Sequence, residues 1–483
     1  MNNNTDVVII GAGAVGSTIA RELSRYQLQV LLIEKNEDVG GYASKCNSGT
    51  LCDGHDAPPG SLEAKTIIES THLYEQICRD LDVKMKRTGM IYVAQNAAEL
   101  KQLDEIKARA VANGLTQEKP LTREQVLEME PSVNPEITGG LLVPGEAVVD
   151  VMELMFANVE NAMDNGVEVM VGTKVLRINL DDEKHCVKSV TTDKGDISCS
   201  FVINAAAIYA DEIAETVGIC DYRNYPRTGE FYVLDKNLPY APSHIIAPLP
   251  TQVTRGKLVT PTINGNTLIG PSAVNGWDKE DTKTDKPTLD SILEDCRKMI
   301  PAINPADSVT QFTGVRPAID PKDDWRVRAN DKCKGYIEAV GISQGISGSP
   351  GVARYVAEIL ADEGLKMTPK DSWNPKRRAI RKFAQMTEAE RDQVISENPL
   401  YGNVICRCET VTEAEIIEAI HKGPGARSVD AIKRRLRAGM GRCQGGFCGP
   451  RVIEILAREL NVPAEAICKN EKGSEMVVCE NRE

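Results

Sequence analysis

The sequence predicts an α/β chain, α+β overall. A doubly wound domain carries an inserted antiparallel sheet and is followed by a small helical unit at the C-terminus. Three observations predict it. The chain opens with a strand, a glycine turn, a helix and a second strand over residues 6–35. Two strand-like runs further on meet at Asn264-Gly265, a hairpin signal. After about residue 365 the composition becomes charged, and three short helix patterns follow with four cysteines between them.

At 483 residues the chain is longer than one core usually serves, so two or three domains are expected. Apolar residues make up 41%, enough for substantial cores, whereas aromatics at 4% argue against stacking platforms for single-stranded nucleic acid. A net charge of −13 argues the same way, because phosphate backbones and anionic lipids attract cations. No apolar run approaches the ~20 residues of a bilayer span. The N-terminal MNNNTDVVII has no basic region, so no signal peptide is read and a cytoplasmic location is expected, peripheral membrane attachment staying open. Fourteen cysteines without an export signal suggest reduced thiols and a metal site, not a disulfide framework.

Residues 6–10, DVVII, suit a buried parallel strand, and GAGAVG follows at once. Gly11, Gly13 and Gly16 have the G-x-G-x-x-G spacing, with Ala14 opening a helix over STIARELSRYQ. VLLIEK is the second strand, and Glu34 ends it 18 residues after Gly16, followed by Lys35. The first glycine permits the tight turn, the second lets the backbone approach a pyrophosphate, the third lets helix and strand pack closely, and the acid takes a ribose hydroxyl pair. This Rossmann-like unit does not by itself choose between FAD and NAD. The segment EDVGGYASKCNSG adds Gly41 and further small residues directly after the acid, which suits a backbone passing close to a large cofactor.

Seven stretches carry a resemblance: SKCNSG (44–49), DAPPGSLEAK (56–65), VINAAAIYADEIA (202–214), PRTGEFYVLDK (226–236), GKLVTPTINGNTLIGPSA (256–273), TGVRPA (313–318) and GISQGISGSPGVA (341–353). With these the chain resembles the D-amino-acid-oxidase-like FAD superfamily, in the branch of FAD-dependent glycerol-3-phosphate dehydrogenases and oxidases and L-2-hydroxyglutarate dehydrogenase. The resemblance implies FAD, bound by residues 1–80, 146–220 and 326–365, with 81–145 and 221–325 forming a substrate domain. It implies cofactor contacts from Ser44, Asn47, Ser48 and Gly49, from Ala205 and Ala206, from Gly314 and Arg316, and from Gly345, Ser347 and Gly348. It also places Arg316 on the substrate's anionic group, which fits the guanidinium fork. Lys257 is a candidate second cation and Tyr232 a candidate hydrogen-bonding group. The chain departs from the branch at Cys52 and Asn264, which stand where histidines are usual. A hydroxyl that loses hydride from its carbon must also lose a proton. His55 or Asp53 is therefore a candidate base, or the substrate is an amine.

The stretch 366–400 reads as a tether, with the basic run KRRAIRK as a solvated face. Residues 401–470 hold the helical unit and 471–483 a tail. Thr412 and Glu415 form a capping box, and Pro450 suits a first helical turn. Cys406 and Cys408 are spaced C-x-C, and Cys443 and Cys448 follow as C-x4-C after 34 residues. Four soft ligands fit zinc or an iron–sulfur cluster, and C-x-C is less usual for structural zinc. The unit resembles the bacterioferritin-associated-ferredoxin-like 2Fe-2S domain, which implies that these four cysteines hold a 2Fe-2S cluster. A flavin that takes two electrons beside a cluster that passes them singly implies an electron-accepting partner, either a second flavoprotein within a hetero-oligomeric complex or a quinone. The expected activity is a dehydrogenase for a small anionic secondary alcohol, glycerol 3-phosphate first and a 2-hydroxy acid next. The alternatives are an amino- or imino-acid dehydrogenase and a chain that serves as the electron-relay subunit of a flavoprotein complex.

Overall fold

The computed structural model describes residues 5–181, 185–251, 254–322 and 324–479; the last four residues of the expected tail lie outside them. The first strand, Thr5–Ile10, is central in a parallel sheet. Gly195–Asn204 and then Cys333–Val340 lie on one side of it, and Val30–Ile33 and Glu168–Met170 on the other. Valine and isoleucine fill the first strand because it is covered on both faces. One face packs under helices Ala14–Leu23, Val151–Asp164 and Gly345–Asp362, through Ile19, Leu23, Phe156, Val352 and Leu360. The other is covered by the meander Val175–Leu180 and Val187–Thr192 and by helix Ala210–Glu215, through Val190, Ile213 and Tyr336.

The second sheet is built around two long antiparallel strands, Arg223–Lys236 and Ser308–Asp320, paired along most of their length. The Asn264-Gly265 turn joins Leu258–Pro261 to Asn266–Gly270 as the sequence predicts, with Gly265 at φ +87. Helix Lys286–Met299 seals the outer face through Ile292, Leu293 and Cys296 against Leu234 and Ile269. No helix among the described residues is long and apolar enough to cross a membrane, and none of the fourteen cysteines is in a disulfide.

The C-terminal unit is three helices, Glu413–His421, Val429–Leu436 and Gly449–Leu460, around Ile416, Ile432 and Leu456. The Thr412–Glu415 capping box forms as expected. The basic run before it is a solvated face only in part: Lys376, Arg378 and Arg381 are exposed, but Arg377 and Lys382 are not. Arg377 is buried between Glu153 Oε1 (2.7 Å) and Glu160 Oε2 (2.6 Å), and Lys382 also bonds Glu153. The stretch read as a tether is thus fastened to the helix Val151–Asp164, because two acids buried on that helix need cations. A second attachment is at Asp38. Its carboxylate accepts from Arg434 Nη2 and from both Nη1 and Nη2 of Arg435, each at 2.7 Å. Arg435 also lies 4.0 Å over the Phe156 ring.

Burial opposes ionisation of Asp38, but the two guanidinium groups outweigh it and hold its pKa below the ordinary aspartate value. A depressed native pKa stabilises the docked unit above the ordinary carboxylate range, and this stabilisation is lost as pH falls through the native value. Asp38→Asn leaves two buried guanidinium groups unpaired, so a destabilisation of about 3–5 kcal/mol is expected. Limited proteolysis around residues 365–400 should be faster in the variant at pH 7, and the wild-type chain should approach the variant's rate only in strong acid.

Candidate active site and metal centre

The two sheets face each other across a cleft with two connected cavities of ≈ 230 Å³ and ≈ 280 Å³. Gly13, Ser44, Ala205 and Pro317 line both. The glycine turn explains the junction. Gly11 has φ +100, and a Cβ there would lie 2.6 Å from the Ala205 carbonyl oxygen. A Cβ on Gly16 would lie 1.8 Å from the Gly11 carbonyl oxygen. These two positions are closed by the protein's own backbone. Gly13 instead opens to the cleft, where a Cβ would meet only Ser44 Oγ. Ser44 Oγ accepts the Ala14 N–H at 3.0 Å, at the start of the helix.

The ≈ 280 Å³ lobe carries Glu34, Lys35, Gly41 and Ala206 on its wall. Glu34 is buried and accepts the N–H groups of Ala12 (2.8 Å) and Asn36 (3.0 Å), one on each oxygen. Burial raises its pKa, and these bonds only partly compensate. Glu280 reaches from the second sheet to the hydroxyls of Tyr42 and Tyr209, and Lys35 Nζ lies 3.6 Å over the Tyr209 ring. Sequence reasoning missed this clasp, since nothing local marks residue 280.

The ≈ 230 Å³ lobe is lined by Ala14, Asn47, Ser48, Gly314, Gly345 and Ser347, with Phe231 and Arg316 from the second sheet. Gly314 is required where it stands: a Cβ would lie 2.1 Å from the Cys46 carbonyl oxygen. Helix Gly345–Asp362 points its N-terminus at the lobe, and a helix N-terminus favours negative charge. Arg316 donates to the Ser272 carbonyl at 3.1 Å, but its Nε is buried without a partner. Burial and the neighbouring Arg227 pull its pKa down to about 10. No carboxylate among the described residues pairs with it. Gln344 Oε1 on the same wall is also buried and unpartnered. One orphaned cationic donor and one orphaned acceptor on the wall of a cleft are free to meet a ligand, and a two-lobed, glycine-walled cleft fits an extended dinucleotide with an anion beside it.

Several expected residues stand elsewhere. Phe231 faces the cleft, so by strand alternation Tyr232 faces the core under helix Lys286–Met299. Lys257 is turned to the same helix, where its Nζ bonds Asp295 (2.6 Å) and Ser291. Gly348 is spoken for by packing, since a Cβ would meet the Trp325 ring at 2.5 Å. Gly49 lines a neighbouring cavity of ≈ 350 Å³. Asn264 lines that cavity too and donates to Asp150 at 3.3 Å. Cys52 lines the ≈ 230 Å³ lobe; burial pushes its thiol pKa well up, so it stands as a neutral thiol. His55 does not reach the lobe. It is fully buried behind Cys52, with Nδ1 2.7 Å from Asp53 Oδ1 and Nε2 2.9 Å from the Tyr92 hydroxyl. Burial opposes its charging, but Asp53 and Asp56 outweigh that and hold its pKa above the ordinary value.

The residue between this buried group and the cleft is Arg255, where the sequence pattern had pointed to Lys257. Arg255 bonds Asp56 (2.6 Å) and Glu146 (3.1 Å) and touches Cys52 Sγ. Asp53, His55 and Glu146 alone resemble a metal-ligand set, but Arg255 already supplies the positive charge there.

In the C-terminal unit Cys406 and Cys448 are buried, and Cys408 and Cys443 lie outward with sulfurs 3.9 Å apart. Gly441 is needed beside them, as a Cβ would lie 2.2 Å from Cys408 Cβ. The backbone N–H groups of Phe447, Gly445 and Gly446 around Cys443 lower its thiol pKa. N–H donors around sulfur favour thiolate and the negative charge of a cluster. The donor set is soft, all sulfur, and fits a 2Fe-2S cluster.

This fold and cleft define a two-sheet flavoprotein oxidoreductase that carries an iron–sulfur module. Residues 6–359 match the FAD dependent oxidoreductase family and residues 404–458 the BFD-like 2Fe-2S binding domain. The chain belongs to that FAD-dependent oxidoreductase family, with FAD and a 2Fe-2S cluster as its cofactors. It is 40% identical to a glycerol 3-phosphate dehydrogenase of Caloramator mitchellensis over 97% of each chain. It is 25% identical to one component, itself named as a subunit, of the anaerobic glycerol-3-phosphate dehydrogenase of Escherichia coli K12, over 96% of this chain and 90% of that one. The solved FAD-bound, dithionite-reduced L-alpha-glycerophosphate oxidase of Mycoplasma pneumoniae superposes with a TM-score of 0.73 at 28% identity, covering 77% of this chain and 98% of that one.

Gly16→Ala forces the nucleotide helix off the first strand. Purified variant should show little flavin absorbance relative to protein absorbance at 280 nm, and a lower melting temperature than wild type.

Proposed function

We propose that this chain oxidises glycerol 3-phosphate to the ketone, and that the electrons leave one at a time for a partner protein. The observation that carries the reading is Arg316, a half-buried guanidinium in the flavin lobe with an unpartnered Nε and, among the described residues, no carboxylate paired with it. Glycerol 3-phosphate would bring the anion that this group lacks. The reading is supported by the activities of the Caloramator and Mycoplasma relatives, and the partner by the multi-component make-up of the Escherichia coli relative.

When bound, FAD supplies the hydride acceptor and the 2Fe-2S cluster supplies the one-electron outlet. The chain's own residues do the rest. Gly11, Gly13 and Gly16 shape the phosphate turn, Glu34 takes the ribose hydroxyls, and Asn47, Ser48, Gly314 and Ser347 flank the flavin end. Arg316 grips the phosphate by a two-point bond. Phe231, stacked on Phe312 at 4.8 Å, roofs the lobe and excludes water. Cys406, Cys408, Cys443 and Cys448 hold the cluster. In this reading residues 1–80, 146–220 and 326–365 bind FAD, and 81–145 and 221–325 shape the substrate side.

One observation favours a second reading. No histidine among the described residues lines the flavin lobe, and the neutral Cys52 thiol is a poor proton acceptor. An amine donor such as proline would need no deprotonated hydroxyl. Anaerobic mixing separates the two: glycerol 3-phosphate should bleach the flavin near 450 nm, and bleaching by proline or glycine alone would reverse the assignment.

Arg316→Ala removes a charge-assisted pair worth about 2–5 kcal/mol. KM for glycerol 3-phosphate should rise about 30-fold or more, and Arg316→Lys should not restore it because a point charge lacks the fork. Unchanged KM in both variants would remove Arg316 from the substrate. Separately, Cys443→Ser should abolish the paramagnetic signal of the dithionite-reduced cluster while anaerobic flavin bleaching persists.

A further inference from the structure

We infer that the outer edge of the cysteine module is a docking face for an acidic one-electron redox protein, with Phe447 as its apolar anchor. The inference rests on the proposed cluster and adds where its electrons leave and to what kind of partner.

The four cysteines are asymmetric. Cys406 and Cys448 are enclosed in the module's core, and Cys408 is exposed with Cys443 half-exposed beside it. The outward sulfurs are therefore the short way to solvent. Phe447 stands on the same loop, four residues after Cys443, and its side chain is 86% exposed. Phe447 is one of the most exposed large apolar side chains among the described residues and the one beside the four cysteines, and aromatic anchors dominate protein interfaces.

Charge supplies the partner's chemistry. Arg407 adjoins Cys408, Arg442 adjoins Cys443, and Arg451 lies one turn beyond Phe447; all three are exposed. Arg442 is tied to Asp235, but among the described residues Arg407 has no acid partner and Arg451 reaches only Asn403. The nearby Glu409 cannot cancel them, its side chain being largely buried and already paired with Lys236 and Arg437. Glu454 is the one exposed acid within a turn of Arg451 on its helix. A cationic rim around the cluster edge runs against a chain whose net charge is −13. Such a local reversal of sign steers an acidic protein to the edge and turns away a basic one.

Each substrate oxidised releases two electrons and two protons, so two ferric haems become ferrous per turnover and the protons pass to solvent. Cytochrome b5 is a suitable acidic acceptor and cytochrome c its basic counterpart. The test uses the full holo-chain, reduced by glycerol 3-phosphate or, should that fail, by light and a flavin donor, so that an error about substrate does not touch the result. The variants are Arg407→Glu/Arg451→Glu and Phe447→Ser. Binding of oxidised cytochrome b5, followed by its haem difference spectrum, should weaken at least 10-fold in the double variant and about 3- to 10-fold in Phe447→Ser. Cytochrome b5 reduction should fall in parallel, and cytochrome c reduction should rise in the double variant. The cluster's paramagnetic signal and flavin bleaching should not change. Wild-type binding of cytochrome b5 should weaken with added salt. Equal cytochrome b5 binding by wild type and both variants would overturn the inference, as would tighter wild-type binding of cytochrome c. A change of oligomeric state on Phe447→Ser would make the face a self-interface and overturn it equally.

Discussion

Asp38 is the residue on which the arrangement of the whole chain depends. It stands four residues after Glu34, in the loop that also carries Gly41 and Tyr42 to the nucleotide lobe. From there it holds two arginines of a module some 400 residues further on, with every bond out of water. Burying three charges is costly, and such sites add less to stability than to the uniqueness of one docked geometry. A module that must sit at a fixed place against a flavin domain has use for that kind of specificity. The same loop thereby serves both the cofactor cleft and the module.

The cleft contains two guanidinium groups with opposite fates. Arg255 is saturated by Asp56 and Glu146 and backed by the His55–Tyr92 pair, so it forms a neutralised wall. Arg316 has no such company. A partly buried cation with an unmade bond costs free energy until an anion arrives, and that cost makes the site selective: a neutral ligand would leave the bond unmade. The positive helix end at Gly345 points into the same lobe and adds to the preference.

Much of this was legible in the sequence because the governing constraints are local. The glycine turn, the acid ending the second strand, the Asn264-Gly265 hairpin, the Thr412 cap and the four cysteines each declare themselves within a few residues. What escaped was the direction in which side chains of the second sheet point. Strand alternation says that Phe231 and Tyr232 face opposite ways, but not which face meets the cleft; that depends on how the sheet packs on helix Lys286–Met299. His55 escaped for a related reason: three residues from Cys52 in a turn, it could point inward or outward, and the acids that drew it in are at Asp53 and Glu146. The basic run 376–382 looked solvated because its partners, Glu153 and Glu160, lie more than 200 positions earlier.

The ≈ 350 Å³ cavity between the flavin lobe and the module bears on how the two centres communicate. Cys46, Asn47 and Ser48 line both this cavity and the flavin lobe, and Met440 and Gln444 close it from the module side, Gln444 being next to Cys443. Its walls mix apolar residues such as Val148, Leu268 and Phe312 with polar ones such as Asp150, Asn264 and Gln311, and Lys433, Arg434 and Arg437 also line it. The module thus borders the wall of the flavin lobe, where it is fastened at Asp38 and at Arg377. A module fastened on its inner side, with Cys406 and Cys448 buried and Cys408 and Cys443 outward, agrees with the proposed exit of electrons at its outer edge.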